Sequence, residues 1–179
     1  MSIEIKIADS EEEYDQIHKL NYTTFVEEIA QHNANADLQL IDKFHFQNTY
    51  IIAKENTSVV GMLAYNDRRP FSLDGKLENI EQYLPKFKKP IEIRLLAISK
   101  EKRNATILYL MLEKLALQLN KNDFDIALIS GTTRQLKLYH KIGFTDFATL
   151  VGKEEACYQP MYLTKNNIQL DYINQWMKK

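Results

Sequence analysis

Basic and small polar residues gather where a strand-like segment passes into a helical one. The β-rich segment ends at Ile98, and the connection that follows carries three cations, Lys100, Lys102 and Arg103. The first amides of a helix have no partner within it and carry part of the helix dipole, so they bind phosphate well. Asn104 and Thr106 would lie beside these amides. The segment is therefore a candidate phosphate site, and an ordinary helix start with solvated lysines is the alternative.

A carboxylate on the same strand is the second candidate. Strand alternation places Glu92 and Arg94 on one face together with Leu96 and Ile98, and it places the residues between them on the other face. A carboxylate on a central strand is costly to bury unless it is paired or reached by water in a cleft. Glu92 is therefore either an active-site carboxylate or half of a structural ion pair with Arg94.

The end of a later helix carries a distinctive pattern. Residues 138–144 have the sequence Leu-Tyr-His-Lys-Ile-Gly-Phe, in which Gly143 suits the left-handed position that ends a helix and Phe144 begins a buried strand. This pattern, with the order of strands and helices before it, resembles the acyl-CoA-binding half of the GCN5-related N-acyltransferase (GNAT) family. Tyr139 matches the tyrosine of the family signature x-Tyr-x-x-x-Gly-Phe, and an amphipathic packing role is its alternative.

The resemblance implies that the chain is an acyltransferase, moving an acyl group, by default acetyl from acetyl-CoA, to the primary amine of a small acceptor. Glu92 would accept the proton of the amine through water, Arg94 would contact the substrate, and Tyr139 would return a proton to the departing thiolate. The strand backbone would hold pantetheine and the helix start would hold phosphates. The resemblance thus assigns donor binding to Leu96, Ala97, Ile98, Arg103, Asn104, Ala105 and Thr106.

One part of the loop departs from the family pattern Arg/Gln-x-x-Gly-x-Gly/Ala. Thr106 and Leu108 stand where glycines normally let the backbone approach the pyrophosphate. The long segment 66–90 and the ending 157–163 are similar to those of long-chain N-acyl amino acid synthases and acyl-homoserine-lactone synthases, several of which use acyl carrier protein. Two alternatives therefore stay open: an enzyme of that branch supplied by acyl carrier protein, and a catalytically silent binding or regulatory module.

The elements that would position these residues follow from hydrophobic periodicity. It predicts strands over 3–7, 49–54, 58–65, 91–98, 125–130, 144–151 and 157–163, and helices over 10–29, 77–84, 103–120 and 134–141. This order predicts a mixed α/β (α+β) fold of the GNAT type, with a central, mostly antiparallel twisted sheet and helices on both faces. We expect one domain over 1–179, with an insert at 66–90 and an amphipathic C-terminal helix at 166–178.

Composition narrows the class of protein. The net charge of −1 provides no general attraction for nucleic acid or an anionic membrane, so neither is an expected partner. The single cysteine, Cys157, excludes an internal disulfide and, without an apparent signal peptide or membrane span, favours the cytoplasm. The four histidines show no ligand spacing, so we expect no metal. The amphipathic tail and free sheet edges make a homodimer plausible.

Overall fold

A computed structural model describes residues 2–153 and 156–168, which contain eight strands and three α-helices. The strands are β1 (Ile3–Ile7), β2 (Thr49–Glu55), β3 (Ser58–Asn66), β4 (Pro90–Ile98), β5 (Ile126–Thr132), β6 (Thr145–Asp146), β7 (Val151–Lys153) and β8 (Ala156–Thr164). The helices are α1 (Glu11–Tyr22), which a π-helical turn over Thr23–Glu28 extends, α2 (Ala105–Lys121) and α3 (Leu136–Ile142).

The strands form one mixed sheet. Their hydrogen-bonded order is β1-β2-β3-β4-β5-β8-β6, and β7 pairs with β8 outside this path. The β4–β5 pair is parallel, whereas the β1–β2, β2–β3, β5–β8, β6–β8 and β7–β8 pairs are antiparallel. The mixed, mostly antiparallel sheet predicted from the sequence is therefore confirmed. The contacts divide the chain into two compact units within β4, between Arg94 and Leu95.

The first unit contains the residues up to Tyr65 and Leu95–Gln118. Its core is built from α1 and the β2–β3 hairpin, whose apolar positions follow helical and strand periodicity respectively. Buried members of this core include Ile17, Leu20, Tyr50, Ile52, Met62, Ala64 and Ala97. The predicted hairpin and the helix after Ser10 are confirmed, and the hairpin contains a register shift between Ala53 and Lys54.

A buried glutamate fixes the start of α1. Ser10 caps the helix by accepting a hydrogen bond from the Glu13 N–H, and the Glu13 carboxylate accepts one from the Asp9 N–H at 3.0 Å. The same carboxylate pairs with Lys54 Nζ at 2.7 Å and Lys6 Nζ at 3.0 Å. Glu13 therefore links α1 to β1 and β2 through charged hydrogen bonds.

The second unit contains Asn66–Arg94 and the residues from Leu119 onward. The long insert is tied into it because the insert side chains Phe71, Leu73 and Ile80 pack with Ile126 and Leu128 of β5 in one buried cluster. The segment is consequently part of the core of this unit. Because of this packing, the insert has a fixed position beside β5.

The end of α3 has the geometry expected from its sequence. Gly143 has a φ of 112°, its N–H donates to the carbonyls of His140 and Tyr139, and the Phe144 N–H also donates to Tyr139. A Cβ at Gly143 would lie 1.9 Å from the carbonyl oxygen of Asn167, so glycine is required by space as well as by conformation. The predicted C-cap is confirmed.

Other local predictions need correction. The helix predicted over 77–84 is reduced to a 3-10 turn at Ile80–Tyr83, since the insert ends in prolines and is held by side-chain packing. The strand predicted over 144–151 is interrupted, because within that range only Thr145–Asp146 of β6 and Val151 of β7 pair with β8. The C-terminal helix predicted over 166–178 lies mostly outside the described residues, which end shortly after a 3-10 turn at Lys165–Asn167.

The one-domain hypothesis for 1–179 stays a prediction. In the part of the chain that the structure describes, no helix combines the length and apolar character needed to cross a membrane.

We expect Glu13→Gln to lower the free energy of unfolding at pH 7 by about 1–3 kcal/mol, because it removes charged hydrogen bonds at a buried site. Burial by itself would raise the pKa of Glu13, but hydrogen bonds from Lys54, the Asp9 N–H and Lys6 outweigh it and lower the pKa from 4.5 to about 2. The contribution of this carboxylate is therefore complete above pH 4.5 and is lost as the pH falls towards 2.

Urea unfolding of both proteins between pH 7 and 2.5 checks this expectation. The difference between wild type and variant should shrink on acidification. Glu12→Gln is the matched control, because Glu12 is an exposed carboxylate in the same helical turn. An equal loss of stability in both variants would contradict the role of Glu13.

Candidate active site

Glu92 is fully buried on β4, with an exposed fraction of 0%, and its carboxylate is surrounded by donors. Oε2 accepts the Ser72 N–H at 2.8 Å and lies 3.5 Å from Arg94 Nε. Oε1 accepts the Ser72 hydroxyl and the Leu73 N–H, the latter at 3.2 Å. The carboxylate thus caps a 3-10 turn of the insert, Leu73–Gly75, and its acceptor positions are directed at these groups.

The ion pair of Glu92 with Arg94 that the sequence predicted is confirmed, and the Arg94 side chain is only 14% exposed. The alternation predicted for the strand is broken just after this pair. Leu95 has a φ of 55°, a left-handed conformation that is uncommon for leucine and typical of a bulge. The parallel ladder to β5 covers only Pro90, Ile91 and Glu92 of β4.

Tyr139 lies on α3 and packs against β5. A Cβ added at Gly131 would come within 3.0 Å of the Tyr139 ring, so glycine at this strand position leaves room for the phenol. Burial raises the pKa of Tyr139, and a hydrogen bond with the Thr132 side chain opposes this rise only in part. The phenol is therefore protonated at neutral pH and is available as a donor.

A group that the sequence analysis missed lies on the face of β5 next to the insert. Lys76 Nζ donates to Ser130 Oγ at 3.1 Å and lies 4.5 Å from the centre of the Tyr158 ring. Thr132 is two residues beyond Ser130 and is directly paired with Tyr158 on β8. We name Lys76, Ser130, Thr132 and Tyr158 the hydroxyl–lysine cluster. Its signal in the sequence is the change from Ile126 and Leu128 to hydroxyl residues at a period of two.

The predicted phosphate loop belongs to the first unit, and two of its three cations, Lys102 and Arg103, have carboxylate partners. Arg103 Nη2 pairs with Glu28 at 2.7 Å, and Arg103 Nε donates to the Ile98 carbonyl at 3.1 Å. Lys102 forms an ion pair with Glu55. These contacts neutralise much of the positive charge that the loop sequence predicted for a phosphate.

The start of α2 is capped from within the loop. Asn104 Oδ1 accepts the N–H of Ile107 at 2.9 Å, and Asn104 Nδ2 donates to the Lys102 carbonyl. One of the early amides of the helix is thus already occupied. Ala105 and Thr106 form its first turn, as the sequence predicted.

The predicted site residues are distributed between the two units. Glu92, Arg94 and Tyr139 belong to the second unit. The predicted donor-binding residues, Leu96 to Ile98 and Arg103 to Thr106, belong to the first. Within residues 2–153 and 156–168, no group of three or more His, Cys, Asp or Glu side chains is arranged to hold a metal ion.

Comparison with solved structures shows which folds this arrangement is similar to. The acyl-homoserine lactone synthase BjaI, described as CoA-dependent and solved with SAM and isopentyl-CoA, has a TM-score of 0.78 at 18% identity over 99% of this chain and 90% of its own. The AHL synthase LasI has a TM-score of 0.71 at 17% identity, covering 90% of this chain and 88% of its own. FeeM, an N-acyl amino acid synthase from uncultured soil microbes, has a TM-score of 0.68 at 16% identity and covers 91% of each chain.

No curated protein sequence matches the chain significantly. A family model does match it: the acetyltransferase (GNAT) domain aligns with residues 20–113, which is more than half of the chain. The match includes the end of α1, the hairpin, the insert, β4 and the beginning of α2. The chain therefore belongs to the acetyltransferase (GNAT) domain family and is an N-acyltransferase.

Proposed function

We propose that this acyltransferase moves an acyl group longer than acetyl from a pantetheine thioester to the primary amine of a small acceptor. The observation that carries the proposal is the pairing of Arg103 with Glu28 and of Lys102 with Glu55. A donor that relied on its nucleotide phosphates would have to compete with these carboxylates for the same cations. A donor held through its pantetheine and acyl chain would not compete with these carboxylates.

The acyl chain would supply the affinity that the loop does not. Each buried methylene contributes roughly 0.8 kcal/mol, so a chain of several carbons gains much more from burial than an acetyl group. Acyl carrier protein and long-chain acyl-CoA both present such a thioester. The solved relatives support this direction, since one is named for an isopentyl-CoA complex and another as an N-acyl amino acid synthase.

In the proposed reaction the acceptor amine attacks the thioester carbonyl carbon and loses a proton to solvent water, and the carbon–sulfur bond then breaks. The backbone of Leu96 to Ile98 would pair with pantetheine, while Arg103 to Thr106 would contribute at most weak contacts to phosphate. Tyr139 would give its phenolic proton to the thiolate, and the raised pKa of the phenol keeps it protonated at neutral pH until then. Placing the two reactants together would contribute much of the acceleration.

Two roles are compatible with Glu92. The family resemblance makes it the acceptor of the amine proton, and this role stays a prediction. The donors around its carboxylate favour a positioning role, because Ser72, Leu73 and Arg94 already use the oxygens that would bind a water or an amine.

We expect the enzyme to use an acyl-pantetheine without the nucleotide almost as well as the matching acyl-CoA, with kcat/KM values within about tenfold, or 1.4 kcal/mol. Octanoyl donors should exceed acetyl donors by more than that factor. Acyl carrier protein, CoA and pantetheine thioesters of equal chain length, assayed with a pool of amines, provide the measurement. A preference for acetyl-CoA of more than 100-fold over acetyl-pantetheine would contradict the proposal and support the acetyl-CoA default.

We expect Tyr139→Phe to lower kcat by about 100-fold and to leave donor binding unchanged, since general acid catalysis contributes on this scale. Deprotonation of Tyr139 should not lower the wild-type kcat below about pH 9, because burial raises the pKa of this tyrosine above its ordinary value of 10.0. Tyr109→Phe is the control, because the Tyr109 hydroxyl donates a hydrogen bond to Glu113 on the exposed side of α2. Unchanged turnover in Tyr139→Phe would remove the acid role.

We expect Glu92→Gln to lower kcat/KM by at least tenfold while preserving the acidic limb of the pH profile. The reason is that the carboxylate holds the 72–75 turn in place and does not itself exchange the substrate proton. Hydrogen exchange at the Ser72 and Leu73 amides should also become faster. Disappearance of the acidic limb with unchanged amide exchange would instead establish Glu92 as the base.

A further inference from the structure

We propose that two histidines, His18 of α1 and His45 of the segment 30–48, form a pH-sensitive contact that holds this segment on α1 and releases it in mild acid. The inference goes beyond the proposed function and holds for any acyl donor or acceptor, because it concerns contacts within the first unit alone. Three observations support it: the direct contact of the two rings, the donors directed at one ring nitrogen, and the few apolar contacts that the segment contributes.

The two imidazole rings are in contact through one nitrogen each. His18 is buried, with an exposed fraction of 7%, and its Nε2 lies 3.3 Å from His45 Nδ1. The ring centres are 4.8 Å apart and the ring planes meet at 70°. A hydrogen bond between two ring nitrogens needs one N–H and one nitrogen without a proton. The pair can therefore accept one additional proton and keep this bond, but it cannot accept two.

The neighbours of His45 Nδ1 make this nitrogen the acceptor of the bond. Asn48 Nδ2 donates to Asp42 Oδ1 at 3.0 Å and to the Tyr50 phenolic oxygen at 3.1 Å. The carboxylate fixes this orientation of the amide, because a reversed amide would place two oxygens against each other. The phenolic oxygen thus receives a hydrogen from Asn48 and directs its own towards His45 Nδ1, 3.2 Å away. A proton on this nitrogen would face donors from both residues.

Burial also opposes a charge on His18. It lowers the pKa of His18 from its ordinary value of 6.5, and a charge on His45 lowers this pKa further. Asp15 and Glu11 on the same helix raise the pKa but do not outweigh these two effects. The His18 ring is therefore neutral at neutral pH. The stabilisation that depends on the neutral ring is complete above pH 6.5 and declines as the pH falls below that value.

Aromatic rings lie around His45 on several sides. Its ring has edge-on or tilted contacts at 5.1 to 5.7 Å between centres with three others, those of Tyr14 on α1, Phe46 in the segment and Tyr50 on β2. Of the charged residues nearby, Lys43 lies over the Phe44 ring, and Asp42 accepts the Asn48 amide and the Phe44 N–H. Two charged histidine rings would consequently repel each other across 3.3 Å beside the buried face of α1.

The histidine pair is one of a small set of polar contacts that hold the segment on α1. Leu40 provides two more, since its N–H donates to the His18 carbonyl at 3.0 Å and its carbonyl accepts the Asn21 side chain at 2.6 Å. Phe44 of the segment is buried, but three other large apolar side chains are exposed: Leu38, Ile41 and Phe46. A segment that buries little apolar surface opens at low cost, so losing the histidine contact would favour its release.

Hydrogen exchange at the Leu40 amide reports whether the segment is attached, because this N–H is bonded to α1. We expect the Leu40 protection factor, corrected for the intrinsic pH dependence of exchange, to fall at least about tenfold between about pH 7.5 and pH 5. The Ala8 N–H, which donates to the Tyr50 carbonyl at 2.9 Å, should keep its protection and serves as the internal reference.

A matched pair of substitutions separates the charge from the hydrogen bond. In the double variant His18→Gln with His45→Asn, an amide N–H replaces Nε2 and an amide oxygen replaces Nδ1, so the bond can form without a titratable group. This variant should keep the Leu40 protection constant over the same range. His32→Gln, at an exposed histidine of the same segment, should show the wild-type decline. In His45→Asn alone, the pKa of His18 measured by NMR should rise, because the like charge is removed.

Constant protection of Leu40 in the wild type would overturn the proposal, and this comparison requires no variant. A decline of equal size in the double variant would also overturn it, because the histidines would not be the cause. Parallel losses at Leu40 and Ala8 would mean that the first unit opens as a whole, which contradicts a local release. If circular dichroism shows that the double variant does not fold, an unchanged His18 pKa in His45→Asn would refute the pair.

Discussion

A buried carboxylate must receive hydrogen bonds or an opposite charge, and this requirement at Glu92 organises the second unit. Two backbone amides, one hydroxyl and Arg94 satisfy it, and three of these four groups come from the insert. The turn that supplies the amides also directs Phe71 and Leu73 into the core and is followed directly by Lys76. Removing the carboxylate would leave buried amides without acceptors, so the cost would extend to the whole turn.

A comparable balance of charge governs the loop before α2. Two of the three cations that the sequence places at a phosphate site, Arg103 and Lys102, are paired with Glu28 and Glu55, which come from the π-helical turn after α1 and from β2. The Asn104 side chain further occupies an amide at the start of the helix. The missing glycines and the paired cations fit the proposed donor, because a loop that did not enclose a pyrophosphate would need neither open backbone nor excess positive charge.

Periodic elements and local caps were predictable from the sequence because they depend on neighbouring residues. The β2–β3 hairpin, α2 and the Gly143 cap follow from alternation, helical spacing and the conformational freedom of glycine. The strand predicted over 144–151 was wrong over its middle, since pairing with β8, which is not local, decides where β6 and β7 begin and end. The left-handed Leu95 likewise has no glycine or asparagine to indicate it.

The sequence by itself determined the family, the order of the elements, and the chemistry available at Glu92, Arg94 and Tyr139. Only the tertiary structure decided the partners of these groups. Ser72 meets Glu92 across 20 residues, Lys76 meets Ser130 across 54, and Arg103 meets Glu28 across 75. Periodicity reports which face of an element is buried, but the sheet order and the packed insert determine which distant side chains share that face. For this reason the phosphate loop resembled a cationic site in sequence and became a neutralised one in the fold.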